Sequence, residues 1–429
     1  MTFAARLTRC PLPHESDCGA EAAEAFAALP PELRELVAGA AGSSPYLAGL
    51  LARERDWAEA ALSGAPEEAL SETLEVITGL TEDALSAGLR QAKRRVALLV
   101  ALADLGGVWP LEAVTEALTR LADTSIQAGL TAFVGAELRR GKIPGLGEDA
   151  LGDMAGMVVF AMGKMGAFEL NYSSDIDLIC LFDETRFDPS EAHEARAAFI
   201  RATRKLTALL SDHTAEGYVF RTDLRLRPDP SVTPVILAMA TAESYYESLG
   251  RTWERAAHIK ARACAGDIAA GAAYLERLTP FVWRKHLDFA AIEDAHAMRL
   301  RIREHKGLHG PITLEGHDMK LGRGGIREIE FFTQTRQLIS GGRDPDLRLR
   351  ATVPGLAMLA NKGWEPAATT ETLTRHYRGH REIEHRVQMV RDAQAHKLPS
   401  DPDEMRRIVN MCGETDVAAW RARLEAALA

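Results

Sequence analysis

The hydrophobic pattern of this 429-residue chain changes its period near residue 145, and that change constrains the fold more than any other feature. Residues 16–140 are dominated by Ala, Leu and Glu, with apolar positions at helical spacing. Pro30-Pro31 opens a new segment, and Ser71-Glu72 and Thr81-Glu82 have the form of helix N-caps. Leu89–Leu105 is apolar almost all round its central turns, which predicts a buried helix. Beyond the Gly/Pro-rich connector Gly141–Gly147, short β-branched runs take over. Met157–Met162 (MVVFAM) and Ile176–Phe182 (IDLICLF) have the form of buried strands. Tyr218–Leu226 alternates, with Phe220, Leu224 and Leu226 facing one way and Arg221, Asp223, Arg225 and then Arg227 the other. Helical patterning fills Glu191–Leu210 and returns from about Ala240 to the end, broken at Gly322–Gly325 and Gly341-Gly342. The expectation is an α+β fold, mostly α-helical: a helical N-terminal region (1–145), a small α/β core with a short mixed sheet (146–270) and a C-terminal helical bundle (271–429).

Composition narrows the function. A net charge of −10 gives little hold on a nucleic-acid strand. Residues 1–150 carry 22 acidic and 13 basic side chains, while the remainder is nearly balanced and rich in Arg, so a phosphate-handling surface belongs in the remainder. The five cysteines (Cys10, Cys18, Cys180, Cys264, Cys412) are scattered, against a disulfide framework or a Cys-rich zinc site. No apolar run approaches a membrane span, and Met1 is not followed by a basic stretch and an apolar one of the kind expected of a leader. A cytoplasmic protein without nucleic-acid or membrane partners is expected.

The chemistry concentrates in MVVFAMGKMGAFELNYSSDIDLICLFD. A strand ends at Gly163, a tight turn with Gly166 follows, and a short helix is expected to run to about Leu170. In the next strand Asp175 and Asp177 point to one side, about 7 Å apart along the chain, while Ile176 and Leu178 point to the core. Two ionised carboxylates side by side repel unless a cation lies between them, and hard oxygen donors suit Mg²⁺. Asp223 offers a third carboxylate on the face that carries Arg225 and Arg227. Alone, an Asp-x-Asp pair is compatible with strand-edge charge. With the glycine turn, Ser174 and Asp223, the set matches in-line displacement at phosphorus assisted by metal.

These residues resemble the nucleotidyltransferase motif of the bifunctional glutamine-synthetase adenylyltransferase/deadenylylase family. The likeness extends through Asp223–Pro228 (DLRLRP), Tyr245-Tyr246, Gly250–Arg255 (GRTWER), Lys260–Arg262, Pro280–Arg284 (PFVWR) and Lys320–Phe331 (KLGRGGIREIEF). Family members join two similar nucleotidyltransferase halves in one chain. The GRTWER and GGIREIE runs resemble the N-terminal, deadenylylating half, and the helical pattern still running at Ala429 suggests a fragment.

The resemblance implies a nucleotidyltransferase-type core that uses inorganic phosphate to remove AMP from a tyrosine of glutamine synthetase, giving ADP. It implies as alternatives the reverse, ATP-dependent adenylylation, or a non-catalytic docking half. Asp175, Asp177 and Asp223 would hold Mg²⁺, or Mn²⁺ in its place. Gly163, Lys164, Ser174, Arg225, Arg227, Lys260, Arg262, Lys320 and Arg327 are the candidate nucleotide and phosphate contacts. Expected partners are glutamine synthetase, a PII-type nitrogen signal protein and the missing adenylyltransferase half.

Secondary features carry competing readings. Glu328 and Glu330 either reach the metal or merely favour a helix start. Glu169 and Lys164 are read as a local ion pair. His305 with His309, and His376 with His380, have i, i+4 spacing, but the second pair lies in an Arg/Glu-rich stretch patterned like a solvated helix. Trp253 is expected in the core beneath the strands.

Overall fold

Proline sets the starts of three N-terminal helices in the computed structural model, which describes residues 1–285, 304 and 311–429. Pro31, Pro45 and Pro66 stand in the first turns of the helices Pro31–Ser43, Pro45–Arg53 and Pro66–Thr78, where a fixed φ fits and no hydrogen bond is lost. Pro66 thereby puts Ser71 inside a helix rather than at a cap, and the Ser71 hydroxyl bonds Glu75 instead (3.2 Å). Thr81 does occupy the N-cap of Glu82–Leu105, but its side chain accepts no backbone N–H. Val96, Leu98 and Val100 of that helix are fully enclosed, as expected. The helix Leu111–Arg139 packs on it, and also on the helix Ala192–Ser211 and one strand of the sheet.

Five strands form a mixed sheet: β1 (Met157–Ala161), β2 (Asp175–Phe182), β3 (Arg221–Asp223), β4 (Ile236–Ala238) and β5 (Arg262–Gly266), in the order β3-β2-β1-β5, with β4 beside the far end of β2. β1 runs antiparallel to β2 and β5, whereas β3 and β4 run parallel to β2. Side-chain alternation divides the sheet between two cores. Val159, Ala161, Ile176, Leu178, Cys180 and Phe182 join the large core that extends from Phe3 to Leu428. Val158, Phe160, Ile179 and Leu181 face a smaller core with Tyr246, Tyr274 and Phe281. Asp175 and Asp177 have the parity of Ile179 and Leu181, so the acids open at the edge of the smaller core.

β3 is shorter than the alternation over Tyr218–Leu226 predicts. Asp223 accepts the backbone N–H of Arg225 (2.8 Å), an Asx-type turn that takes the chain out of the sheet before Pro228. The expected helix to Leu170 also stops early, at Gly166, because Phe168 adopts a left-handed conformation (φ 58°). β4 and β5 fall where helix or nothing was anticipated. All five cysteines are free, and no described helix is long and apolar enough to cross a membrane.

Behind the sheet, the helix Ala367–Met389 corrects the expectation of a solvated surface. Arg381, Glu384, His385 and Arg386 are at most 1% exposed. Asp104, from the last turn of the helix Glu82–Leu105, pairs with Arg386 (2.7 Å) and His385 (3.1 Å), so charges that read as surface residues bind the two regions together. Arg386 and the His385 hydrogen bond hold the Asp104 carboxyl well below the usual range despite its burial.

Burial also pushes His258 and His380 down to about 4, so both imidazoles stay neutral in the folded chain near pH 7. An unfolded histidine takes its proton near 6.5, so between pH 6.5 and 4 the unfolded chain binds more protons and stability falls as pH falls. Each histidine is expected to remove about 2 kcal/mol between pH 6.5 and 5. Urea midpoints measured across that interval should decline steeply; a flat profile would refute the assignment.

Candidate active site

A turn of glycines brings β1 to the acids. Gly163 is left-handed (φ 54°), and a Cβ there would lie 3.2 Å from Asp177 Oδ2. Gly166 approaches the neighbouring backbone so closely that a Cβ would lie 1.9 Å from the Lys260 carbonyl oxygen, leaving room only for glycine. Met162 donates its N–H to the Asp177 carbonyl (2.9 Å), fixing the turn to β2.

The parallel register places Asp177 opposite Asp223 and Asp175 opposite Arg221. One carboxylate oxygen from each of Asp175, Asp177 and Asp223 can be chosen so that all lie within 4.8 Å of one another. Burial, then the Asp175 and Asp223 carboxylates, push Asp177 up to about 6. Asp223 is held below its ordinary value by Arg225, whose Nε lies 2.9 Å from Oδ2. Three hard oxygen donors crowded on strand residues, one of them kept from ionising by burial and by its neighbours' charge, fit a divalent cation. Among the described residues no other His, Cys, Asp or Glu set gathers in this way; His376 and His380 lie with rings 6.0 Å apart and no third ligand, while His305 and His309 lie outside the described residues.

Beside the acids opens a cavity of about 400 Å³. Gly163, Lys164, Ser174, Asp175 and Asp177 line one end, and Lys320, Arg327, Glu328 and Glu330 come from the loop and helix start around Gly325. Trp253, Ala256 and Ala257 of the helix Thr252–His258, with Leu226 and Phe331, give it an apolar wall. Lys320 forms no ion pair among the described residues, and its loop is braced by Asp318, which accepts the N–H groups of Lys320 (3.0 Å) and Leu321 (2.9 Å).

The family model for glutamate-ammonia ligase adenylyltransferase matches residues 34–277, more than half of the chain. The chain belongs to this family. A second model, GlnD PII-uridylyltransferase, matches residues 296–429. The bifunctional glutamine synthetase adenylyltransferase/adenylyl-removing enzyme of Rhodopseudomonas palustris strain TIE-1 is 46% identical over 405 residues, which cover 92% of this chain and 41% of that protein. Proteins of the same name from Caulobacter vibrioides (46% over 384 residues, 89% and 39% covered) and Agrobacterium fabrum (44% over 405 residues, 92% and 41% covered) are comparable. The chain thus spans about two fifths of the length of the curated relatives it matches.

Around this cavity the basic residues take different places. Lys164 reaches the cavity but pairs with Glu384 (3.4 Å), and burial brings it down to about 8. Lys260 also lines the cavity, tied to Glu169 (2.6 Å) and Glu330 (3.2 Å). Glu169 therefore does not pair with Lys164: the left-handed Phe168 turns it beneath the loop toward Lys260. Arg262 is taken up by Asp123 (2.9 Å), and Arg227 donates to the carbonyls of Leu224, Pro230 and Thr233 in its own loop. Glu328 accepts the Gly324 N–H (3.1 Å), and Glu330 meets Lys260 and Arg327.

Two residues of the site were not legible as such. Trp253 faces the cavity rather than the core; the signal was Trp253, Ala256 and Ala257 at i, i+3, i+4, a large ring beside small residues that leave space. Gln394 donates from Nε2 to Asp175 Oδ1 (2.7 Å) across 219 residues, and no local pattern marks it.

Proposed function

We propose that this chain catalyses divalent-cation-dependent phosphorolysis of adenylylated tyrosine on glutamine synthetase, releasing ADP and the unmodified tyrosine. The observation that carries the reading is the convergence of Asp175, Asp177 and Asp223 beside a cavity that Lys320 also lines. The names of the relatives support glutamine synthetase as protein substrate, and the GRTWER and GGIREIE runs support the deadenylylating direction.

An oxygen of hydrogen phosphate attacks the AMP phosphorus, the bond from phosphorus to the tyrosine oxygen breaks, and the phosphate proton ends on the tyrosine. Tyrosine leaves with a pKa of about 10, and phosphate arrives already anionic, so neither end calls for a strong acid or base. Among the described residues, the cavity lining accordingly holds carboxylates and cations and no histidine. Mg²⁺, or Mn²⁺, held by the three aspartates would neutralise charge on the transferring group. Lys320 and Arg327 orient the phosphates, Ser174 and the turn amides near Gly163 receive their oxygens, and exposed Arg225 has room to swing from Asp223 to a ligand. The Trp253 wall accepts the adenine ring.

Glutamine synthetase and a PII-type signal protein are the partners assigned by this reading, with the cytoplasm as the compartment. The match of residues 296–429 to the PII-uridylyltransferase model supports the second partner.

AMP-modified glutamine synthetase incubated with the chain, Mg²⁺ and phosphate should yield ADP; labelled AMP passing from ATP to the synthetase instead would establish the reverse reaction, and neither product would establish a docking role. Lys320→Met, which deletes a charge-assisted contact worth about 1.5–3 kcal/mol, should raise the KM for phosphate roughly 10- to 100-fold. An unchanged KM would remove Lys320 from the site.

A further inference from the structure

Residues 390–396 form a strap that carries the C-terminal region to the acids. It leaves the helix Ala367–Met389, turns at Asp392 in the left-handed region (φ 49°), and is fastened on both sides of Gln394. Before it, Asp392 Oδ2 accepts the Tyr218 hydroxyl (2.9 Å), just ahead of β3. After it, the His396 carbonyl accepts the Met319 N–H (2.8 Å), next to Lys320, and the His396 ring meets Glu384 (2.7 Å). The exposed Gln394 side chain is thus presented from a fixed backbone, and its Nε2 lies 2.7 Å from Asp175 Oδ1. A carboxylate only accepts hydrogen bonds, so the amide nitrogen must face it.

We propose that Gln394 is a positioning residue for the cation centre: its amide holds Asp175 Oδ1 and so keeps the carboxylate turned toward those of Asp177 and Asp223. The proposal rests on reading the three aspartates as a divalent-cation site. Asp175 is the first residue of β2 and is only half-buried, and two neighbouring carboxylates repel it. Its other side-chain hydrogen bond is a long one, from Ser174 Oγ (3.4 Å). Without the Gln394 amide, that repulsion is free to rotate Asp175 away before a cation arrives. Residues that orient metal ligands typically govern affinity by 10- to 100-fold.

The test is Mn²⁺ binding to the full chain, followed by the electron paramagnetic resonance signal of free Mn²⁺. Gln394→Leu, of similar reach but no donor, and Gln394→Ala should each weaken Mn²⁺ about tenfold. The thermal midpoint of the metal-free protein should stay unchanged. In turnover assays the Mn²⁺ concentration for half-activation should rise, with kcat at saturating Mn²⁺ within about twofold of wild type. Mn²⁺ affinity unchanged in both variants would overturn the proposal. Tighter binding would overturn it too, since the amide would then compete with the cation. The two readings separate through the control: a wild-type chain that binds no Mn²⁺ above the level of Asp177→Asn sinks the cation centre itself, and Gln394's role with it.

Discussion

Asp177→Asn is expected to abolish activity and stabilise the metal-free protein. Loss of one of three converging carboxylates removes transition-state stabilisation of several kcal/mol, a rate loss on the order of 10³-fold. Stability moves the other way. Burial, with Asp175 and Asp223, raises the folded Asp177 to about 6 from 3.8, so at pH 7 the ionised side chain opposes folding. That opposition is largest above pH 6, fades as pH falls toward 3.8, and amounts to at most about 3 kcal/mol. Asparagine carries no charge, so urea unfolding without metal should show a gain of roughly 1–3 kcal/mol. Saturating Mg²⁺ should stabilise wild type and leave the variant unmoved. A variant both inactive and less stable would mean that Asp177 is a structural residue and not a cation ligand.

Lys260→Met should show the reverse pattern, a stability effect before any kinetic one. Lys260 is 4% exposed and is the shared partner of Glu169 and Glu330; it also donates to the Thr352 hydroxyl (3.3 Å), while the Thr352 N–H donates to Glu169 (2.6 Å). The two carboxylates hold the Lys260 ammonium above its ordinary value, against the effect of burial. Removing it strips buried Glu169 of its ion-pair cation and leaves Glu330 with Arg327 alone (3.6 Å), a break that typically costs about 3–5 kcal/mol. The loss should appear as a fall in the unfolding free energy at neutral pH. Combining the change with Glu330→Gln should recover part of it, because one stranded charge then disappears. A single variant within about 1 kcal/mol of wild type would show that water or a neighbouring side chain replaces the ammonium. If KM for phosphate rose while stability held, Lys260 would instead be the phosphate contact that its place in the sequence suggests.

The contrast between the two residues reflects what each owes to local and distant chain. The Asp-x-Asp pair was legible because a strand's alternation is decided within a few residues: Ile176 and Leu178 bury themselves, and the acids must take the opposite side. The glycine turn was legible for the same reason, since only its own backbone and the chain beside it demand Gly163 and Gly166. Asp223 came within reach by strand alternation too, although its own carboxylate, capturing the Arg225 N–H, ended β3 three residues sooner than the pattern implied.

Charge partners were the part that sequence left open. Lys164 finds Glu384 across 220 residues, Lys260 finds Glu169 across 91, and His385 finds Asp104 across 281. An arginine or glutamate carries no mark of its partner, because any opposite charge brought close enough serves, and closeness depends on how the long helices pack. For that reason the stretch around Glu384 reads as solvent-facing and yet lies buried, and Gln394 at Asp175 has no local signature at all. What the sequence determined by itself was the acidic strand, its turn and its family; the packing of the C-terminal helices against them decided which cations are spent on structure and which, like Lys320, face the cavity with no ion pair among the described residues.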